Sequence, residues 1–183
     1  MIVESTPLVD AYVLTPQVFK DQRGYFFESF NDQKWNEAGL KPYNWVQENE
    51  SMSSKGVLRG MHFQKGDAAQ AKLVRVIKGE VFDVALDLRK DSKSFGKWFG
   101  VVLSETNKKQ FLVPKGFAHG FLVLSETAVF SYKCDNYYSP EQDSGVMYND
   151  KSLNIKWPEL NVDYLISNKD QNLDSFNECY RFN

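Results

Sequence analysis

The chain has 183 residues, of which 42% are hydrophobic and 25% are charged, and its formal net charge is −2. These values exclude disorder, collagen-like repeats and coiled coil, and the length fits a single domain over residues 1–183. The slight negative charge gives no general attraction to nucleic acid or to an anionic membrane, so any anionic ligand must be met by a local basic cluster.

The predicted elements begin with strands over AYVLTP and GYFFESF, which are rich in aromatic and aliphatic residues between turn signals. A helix is predicted over NDQKWNEAG, where Asn31 or Asp32 caps the start and Gly39 supplies the stop. Eight further strands are predicted over NWVQENES, VLRGMHF, AKLVRVIKG, EVFDVALDLR, WFGVVLS, KQFLVP, AHGFLVLS and TAVFSYKCDNYY. The tail from PEQDSGVMYND onward is predicted to be loop-rich, with turns and room for one more short helix.

Period-two alternation supports the strand predictions, most clearly in EVFDVALDLR, where apolar residues alternate with Asp83, Asp87 and Arg89. Ten short strands in one chain predict an all-β fold of antiparallel sandwich or jelly-roll type.

Targeting and redox signals give no indication of export. No run approaches the ~20 apolar residues of a membrane-spanning helix, and the first residues lack the pattern of a secretory signal. Cys134 and Cys179 form no C-x-x-C pair, so both are predicted to be reduced thiols. We therefore expect a cytoplasmic protein that binds neither membrane nor nucleic acid.

The segment VLRGMHFQKGDAAQAKLVRV, residues 57–76, combines His62 with Arg59 and Lys72. A histidine titrates near pH ~6.5 and suits acid–base chemistry, although a lone histidine in a strand is more often structural. Strict alternation sends Arg59 and His62 to opposite faces, so both line one cavity only if the strand bulges or bends near Gly60. Arg59 suits a phosphate or a surface ion pair, and Lys72 points into the sheet interior or lies at the surface.

Two further polar residues are candidates. Tyr132 shares an alternating face with Ala128 and Phe130, which predicts an inward ring whose default role is packing. His119 begins a predicted strand, where sites often form, although a structural role is slightly favoured. Because the chain has only two histidines, a three-histidine metal site is impossible, and no glycine-rich phosphate loop is present.

These residues lie within seven motifs that together resemble the dTDP-4-dehydrorhamnose 3,5-epimerase family over nearly the whole chain. The motifs, in order, are VFKDQRGYFFESF, VQENES, VLRGMHFQ, AKLVRVIKGEVFDVALDLRKDSKSFGKW, VPKGFAHGFLVLSE, SYKCDNYYSP and LNIKWPE with a later SNKD. The resemblance implies a metal-free cupin-type double-stranded β-helix, or jelly roll, with a few short peripheral helices. It also implies a homodimer in which an N-terminal strand is exchanged between subunits.

The resemblance implies an isomerase that inverts C3 and C5 of dTDP-4-dehydro-6-deoxy-D-glucose to give dTDP-4-dehydro-L-rhamnose, in dTDP-L-rhamnose biosynthesis and without a cofactor. The C4 ketone acidifies the neighbouring hydrogens, so inversion needs a base, an acid on the other face and a group that holds the enolate. His62 matches the family's base and Asp170 its orienting carboxylate. Tyr132 matches the acid, and Lys72 matches the enolate-stabilising cation.

The same resemblance implies a set of substrate contacts, at Arg23, Glu28, Gln47, Glu48, Asn49, Arg59, Lys72, His119, Asp143 and Lys169. Arg23 and Glu28 are expected to act on the partner's site. Asp143 stands where the family has a glutamate, and Glu141 is the alternative for that contact; Gln22 likewise replaces a family glutamate next to Arg23, with little expected effect. An aromatic ring is expected to stack on the thymine base. The sequence does not identify this ring, and Phe19, Phe26 and Tyr138 are candidates.

Three alternatives remain at this point. A single-carbon epimerase (at C5 or C3) or a ketoisomerase on a related dTDP-4-keto sugar fits the same scaffold. A non-catalytic sugar-binding jelly roll fits less well because it does not need the His62, Asp170, Lys72 and Tyr132 set. A metal-dependent cupin oxygenase is the weakest alternative.

Overall fold

A computed structural model describes all 183 residues, and strands dominate it. The one α-helix is α1 (Asp32–Glu37), and single 3₁₀ turns lie at Gly66–Ala68, Pro140–Gln142 and Asp170–Asn172. The strands are β1 (Ile2–Ser5), β2 (Tyr12–Thr15), β3 (Phe19–Asp21), β4 (Gly24–Phe26), β5 (Gln47–Ser54), β6 (Val57–Gln64), β7 (Lys72–Lys78), β8 (Glu80–Asp87), β9 (Trp98–Ser104), β10 (Gln110–Val113), β11 (Phe117–Val123), β12 (Thr127–Cys134), β13 (Asp143–Gly145) and β14 (Leu165–Ile166).

Two large sheets carry most of these strands. The first has the order β1-β2-β10-β7-β12-β5, and the second has the order β13-β6-β11-β8-β9, with β14 pairing in parallel with β6. All other pairings are antiparallel. The predicted all-β, cupin-type jelly roll is therefore confirmed.

The main apolar core lies between the two sheets. Its fifteen buried residues include Val74 and Phe130 from the first sheet and Val81, Ala85 and Phe121 from the second. Because alternate residues of a strand face the same side, Asp83 on β8 points to the same interior as Val81 and Ala85 and is completely buried. The other face of β8 is buried as well, beneath the C-terminal segment.

The predicted irregularity at Gly60 is present. Across the β6–β11 pair, His119 is opposite His62 but Phe121 is opposite Arg59, so β6 carries one extra residue between these two positions. Gly60 has φ +126°, and a Cβ there would lie 2.5 Å from the Cα of Gly120. Only glycine fits this close approach, and the bulge brings Arg59 and His62 to one cavity.

The ten predicted strands all exist, with shifted ends. The GYFFESF prediction shortens to β4, and NWVQENES begins as a strand only at Gln47. Helix α1 is as predicted, since the Asn31 side chain accepts from the backbone N–H of Lys34 and Gly39 follows with φ +72°. Strands β1, β3, β13 and β14 were not predicted. The tail contains 3₁₀ turns and no α-helix, where a further short helix was allowed.

Strands β3 and β4 form a hairpin outside both sheets. Its residues Phe19, Tyr25 and Phe26 are 55%, 57% and 66% exposed, which is unusual for aromatic rings in a strand pair.

None of the helical segments has the length and apolar character needed to cross a membrane.

Candidate active site

A cavity opens between the two sheets and collects the polar residues of the central strands. It is lined by Ser51, Arg59, His62, Lys72, His119, Gly120, Phe121, Phe130 and Tyr132. Three of the four predicted catalytic residues therefore line it together, with Arg59 and His119 beside them. His62 and His119 belong to the second sheet, whereas Lys72 and Tyr132 belong to the first.

Asp170 accepts a hydrogen bond from the ring of His62. The Nε2 atom of His62 lies 2.7 Å from Oδ1 of Asp170, and Oδ2 of Asp170 accepts the backbone N–H of Gly60 at 3.1 Å. Burial acts to raise the pKa of Asp170, but these hydrogen bonds outweigh it and the pKa is lowered, so the carboxylate stays ionised. Since the carboxylate occupies Nε2, the free ring nitrogen of His62 is Nδ1.

Lys72 begins β7 and places a desolvated ammonium beside Tyr132, with its Nζ 5.8 Å from the centroid of that ring. Burial lowers the pKa of Lys72, and the more distant groups Cys134, Asp143 and Asp83 act in the opposite direction. The ammonium takes part in no salt bridge of the protein. A half-buried cation without a protein partner is well suited to meet a developing negative charge on a ligand.

Tyr132 packs against the main core, as its predicted inward face requires. Burial raises the pKa of its phenol, so the side chain remains protonated at neutral pH. A protonated phenol at a cavity wall can donate a proton or a hydrogen bond.

His119 forms a second histidine–carboxylate pair. Its Nε2 lies 2.9 and 3.0 Å from the two carboxylate oxygens of Asp83. Asp83 was not among the predicted site residues, although its place between Val81 and Ala85 on one face of the strand was a signal. Asp83 and His119 are 36 residues apart in sequence and meet because β8 and β11 are neighbours.

At the cavity rim, Asp143 accepts hydrogen bonds from Gln64 at 3.2 Å and from the Tyr138 hydroxyl at 3.1 Å, and it forms an ion pair with Lys169. Lys169 in turn shares a second opening with Arg59 and His62. Glu141, the alternative to Asp143, is exposed and stands apart from this cluster.

The three predicted residues of the QEN motif lie on β5 and point to two different faces of that strand. Gln47 donates to Asn49 at 3.1 Å and accepts the backbone N–H of Tyr138 at 3.1 Å, so this pair lies toward the rim cluster. Glu48 faces the other side, where it pairs with Lys133 at 2.9 Å. It lies away from the cavity that contains His62.

Arg23 and Glu28 also lie away from the cavity of their own chain. Arg23, in the turn of the β3–β4 hairpin, pairs with Asp21, and Glu28 pairs with Lys34. The phenol of Tyr138 is half exposed beside the rim, whereas Phe19 and Phe26 are on the hairpin.

Comparison with known proteins places this chain among sugar-nucleotide epimerases. The sequence model of the dTDP-4-dehydrorhamnose 3,5-epimerase family matches residues 5–178. A relative of that name from Escherichia coli K12 is 51% identical over 181 residues, which cover 99% of this chain and 97% of the relative.

Solved structures agree with the sequence matches. The crystal structure of dTDP-4-dehydrorhamnose 3,5-epimerase from Elizabethkingia anophelis shares 54% identity at a TM-score of 0.91 and covers 97% of each chain. That of dTDP-6-deoxy-D-glucose-3,5-epimerase from Legionella pneumophila, in complex with dTDP-4-keto-L-rhamnose, shares 45% identity at a TM-score of 0.92, covering 97% of this chain and 93% of the other. On this evidence the chain belongs to the dTDP-4-dehydrorhamnose 3,5-epimerase family.

Proposed function

We propose that this protein, as a single domain over residues 1–183, epimerises dTDP-4-dehydro-6-deoxy-D-glucose at C3 and C5 to dTDP-4-dehydro-L-rhamnose. The observation that carries the proposal is the cavity in which the His62–Asp170 pair faces Lys72 and Tyr132 from the opposite sheet. The reaction is a step of dTDP-L-rhamnose biosynthesis and takes place in the cytoplasm.

His62 is the base. With Nε2–H donated to Asp170, its Nδ1 has a free lone pair that removes the proton from the carbon next to the C4 ketone. Asp170 keeps the ring in this tautomer and stabilises the imidazolium that forms, as the carboxylate of a hydrolase triad does.

Lys72 stabilises the enolate. When the proton leaves C3 or C5, the electron pair moves toward the ketone oxygen, which gains negative charge. A partly desolvated ammonium interacts more strongly with that charge than one in bulk water does. Removing one such preorganised donor typically costs a factor of 10²–10³ in rate, or ~2.7–4 kcal/mol of barrier.

Tyr132 is the acid that returns a proton from the opposite face. The base belongs to β6 of one sheet and the phenol to β12 of the other, so they approach a sugar between the sheets from two sides. This arrangement supports inversion of the carbon, because the new proton arrives from the face opposite to the one that lost its proton. Proton transfers of this kind need no redox or organic cofactor.

The remaining predicted residues bind the nucleotide sugar. Arg59 and Lys169 supply positive charge for the diphosphate at the rim, which a net-acidic protein must provide locally. His119 contacts the sugar, and Gln47, Asn49 and Asp143 order the rim around it. Tyr138, half exposed above Asp143, is the favoured aromatic ring for thymine stacking.

The protein acts as a homodimer in which the β3–β4 hairpin reaches the partner. Exposed aromatic rings on this hairpin, together with the positions of Arg23 and Glu28 away from their own cavity, support exchange. Glu48, on the opposite face of β5, is the least supported of the ligand contacts.

A mixing experiment tests this exchange. Arg23→Ala and His62→Ala homodimers each have two defective sites, whereas a mixed dimer with exchange contains one site with both residues intact. Refolding an equimolar mixture of the two variants is expected to restore activity well above that of either alone. If activity stays additive, the partner does not supply Arg23.

Deuterium incorporation tests the reaction itself. The substrate is incubated with the enzyme in deuterated water, and label at C3 and C5 is measured by NMR. Label at both carbons is expected, and none with His62→Ala. Label at one carbon only selects the single-carbon alternative, and label at neither refutes the epimerase.

A further inference from the structure

The two histidine–carboxylate pairs of the cavity differ in their surroundings. The carboxylate of Asp83 is completely buried, and its only hydrogen-bond partner is Nε2 of His119. Asp170 also accepts a backbone N–H, from Gly60, and the side chain of its partner His62 is 29% exposed, against 7% for His119.

An ionised carboxylate inside an apolar core is stable only when a cation or several donors meet it. Asp170 meets this need in part through the Gly60 N–H. Asp83 has no such donor. His119 is its single partner at hydrogen-bond distance, and Lys72 forms no ion pair with it.

Other charged groups face His119 across the cavity. His62 lies directly opposite on β6, Arg59 follows on the same strand, and Lys72 and Tyr132 project from the other sheet. The cations Lys72 and Arg59 oppose a further positive charge on His119. Direct contact with both carboxylate oxygens of Asp83, at shorter range and without intervening water, offsets that opposition.

We propose that Asp83 is a positioning residue that holds His119 as an imidazolium, so that Nδ1–H of His119 serves as a second donor to the ketone oxygen beside Lys72. This inference rests on the proposed function for the identity of the ligand oxygen. The two neighbouring pairs then have opposite tasks, with His62 neutral as the base and His119 charged as the electrophile.

The step keeps its balance of protons and electrons. His62 takes the proton from the carbon, the bonding pair moves to the carbonyl oxygen, and Nδ1–H of His119 donates a hydrogen bond to that oxygen without transferring the proton. Because Nε2 is held by Asp83, Nδ1 is the only ring nitrogen of His119 without a protein partner.

The chain has only two histidines, so protein labelled with [¹⁵N]histidine shows two rings by NMR, which His119→Asn and His62→Asn assign. At neutral pH, we expect both ring nitrogens of His119 to be protonated and His62 to have one bare nitrogen. A bare nitrogen on His119 in the wild-type protein overturns the proposal. The spectrum needs no substrate, so it decides this point even if the epimerase reaction is refuted.

Asp83→Asn keeps the shape of the pair and removes the charge. We expect His119 to become neutral in this variant while the His62 signals stay unchanged, which also reports an intact fold. The value of kcat should fall by ~10²–10³ with KM changed little, because the lost donor acts on the developing enolate. A kcat within about twofold of wild type contradicts the role; if the variant does not fold, the wild-type spectrum still decides.

Discussion

Replacing Asp170 with asparagine should disable the base without removing it. In the native protein one carboxylate oxygen accepts from His62 Nε2 at 2.7 Å and the other accepts from the Gly60 N–H at 3.1 Å. Asparagine has only one oxygen for these two donors. The Gly60 N–H can only donate, whereas the imidazole can change tautomer, so the amide oxygen should face Gly60.

The NH₂ group of the introduced amide then donates to Nε2 of His62, which moves the ring proton to Nδ1. In the proposed mechanism that nitrogen is the base, and it loses the lone pair that accepts the proton. The same substitution in a serine-protease triad lowers kcat by about 10⁴-fold, and a loss of ~10³–10⁴ is expected here. If the oxygen faces His62 instead, two buried donors meet at Gly60, at a cost of ~1–3 kcal/mol in the free energy of unfolding.

The assay is kcat from deuterium incorporation at saturating substrate, with urea unfolding measured in parallel. Asp163→Asn makes the same chemical change at an exposed position and should remain near wild type in both measurements. If Asp170→Asn retains kcat within about tenfold, the carboxylate does not set the tautomer of His62 and the reasoning is wrong.

Three further predictions concern Tyr132, Gly60 and Asp87. Tyr132→Phe should retain deuterium exchange while product formation, followed by NMR, drops sharply, because the base remains but the acid is lost. Gly60→Ala should lower the free energy of unfolding, measured in urea, by ~1–3 kcal/mol or more and abolish turnover, since its Cβ would press on Gly120. Asp87 is fully buried, and hydrogen bonds from Arg89 and two serines lower its pKa despite the opposing effect of burial. Its stabilisation is therefore present above the unfolded-state pKa of ~3.9 and is lost as pH falls through the lower folded-state value, which acid titration of the unfolding free energy checks.

Local patterns predicted the strands well because alternation and turn residues are local properties. The Gly60 bulge could also be predicted, since Arg59 and His62 are three residues apart on one strand and cannot share a face without it. The hairpin β3–β4 was partly missed because its exposed aromatic rings lack the half-buried alternation of a sheet strand.

Contacts between residues far apart in the sequence could not be predicted from local patterns. His62 and Asp170 are 108 residues apart and meet only because the tail places a 3₁₀ turn behind β6, so the assignment of Asp170 came from the family resemblance alone. Asp83 lies within one of the family motifs but has no local partner, and its pairing with His119 appears only when β8 and β11 are neighbours.

The division of the site between two sheets explains how one cavity can invert a carbon. A base and an acid on one strand, or on one sheet, would reach the same face of the sugar and would exchange its proton without inverting the centre. Here β6 and β11 present the histidines, while β7 and β12 present Lys72 and Tyr132. In the proposed mechanism the sandwich thereby holds the proton acceptor and the proton donor on opposite sides of the ligand. The bulge at Gly60 turns Arg59 toward the same cavity.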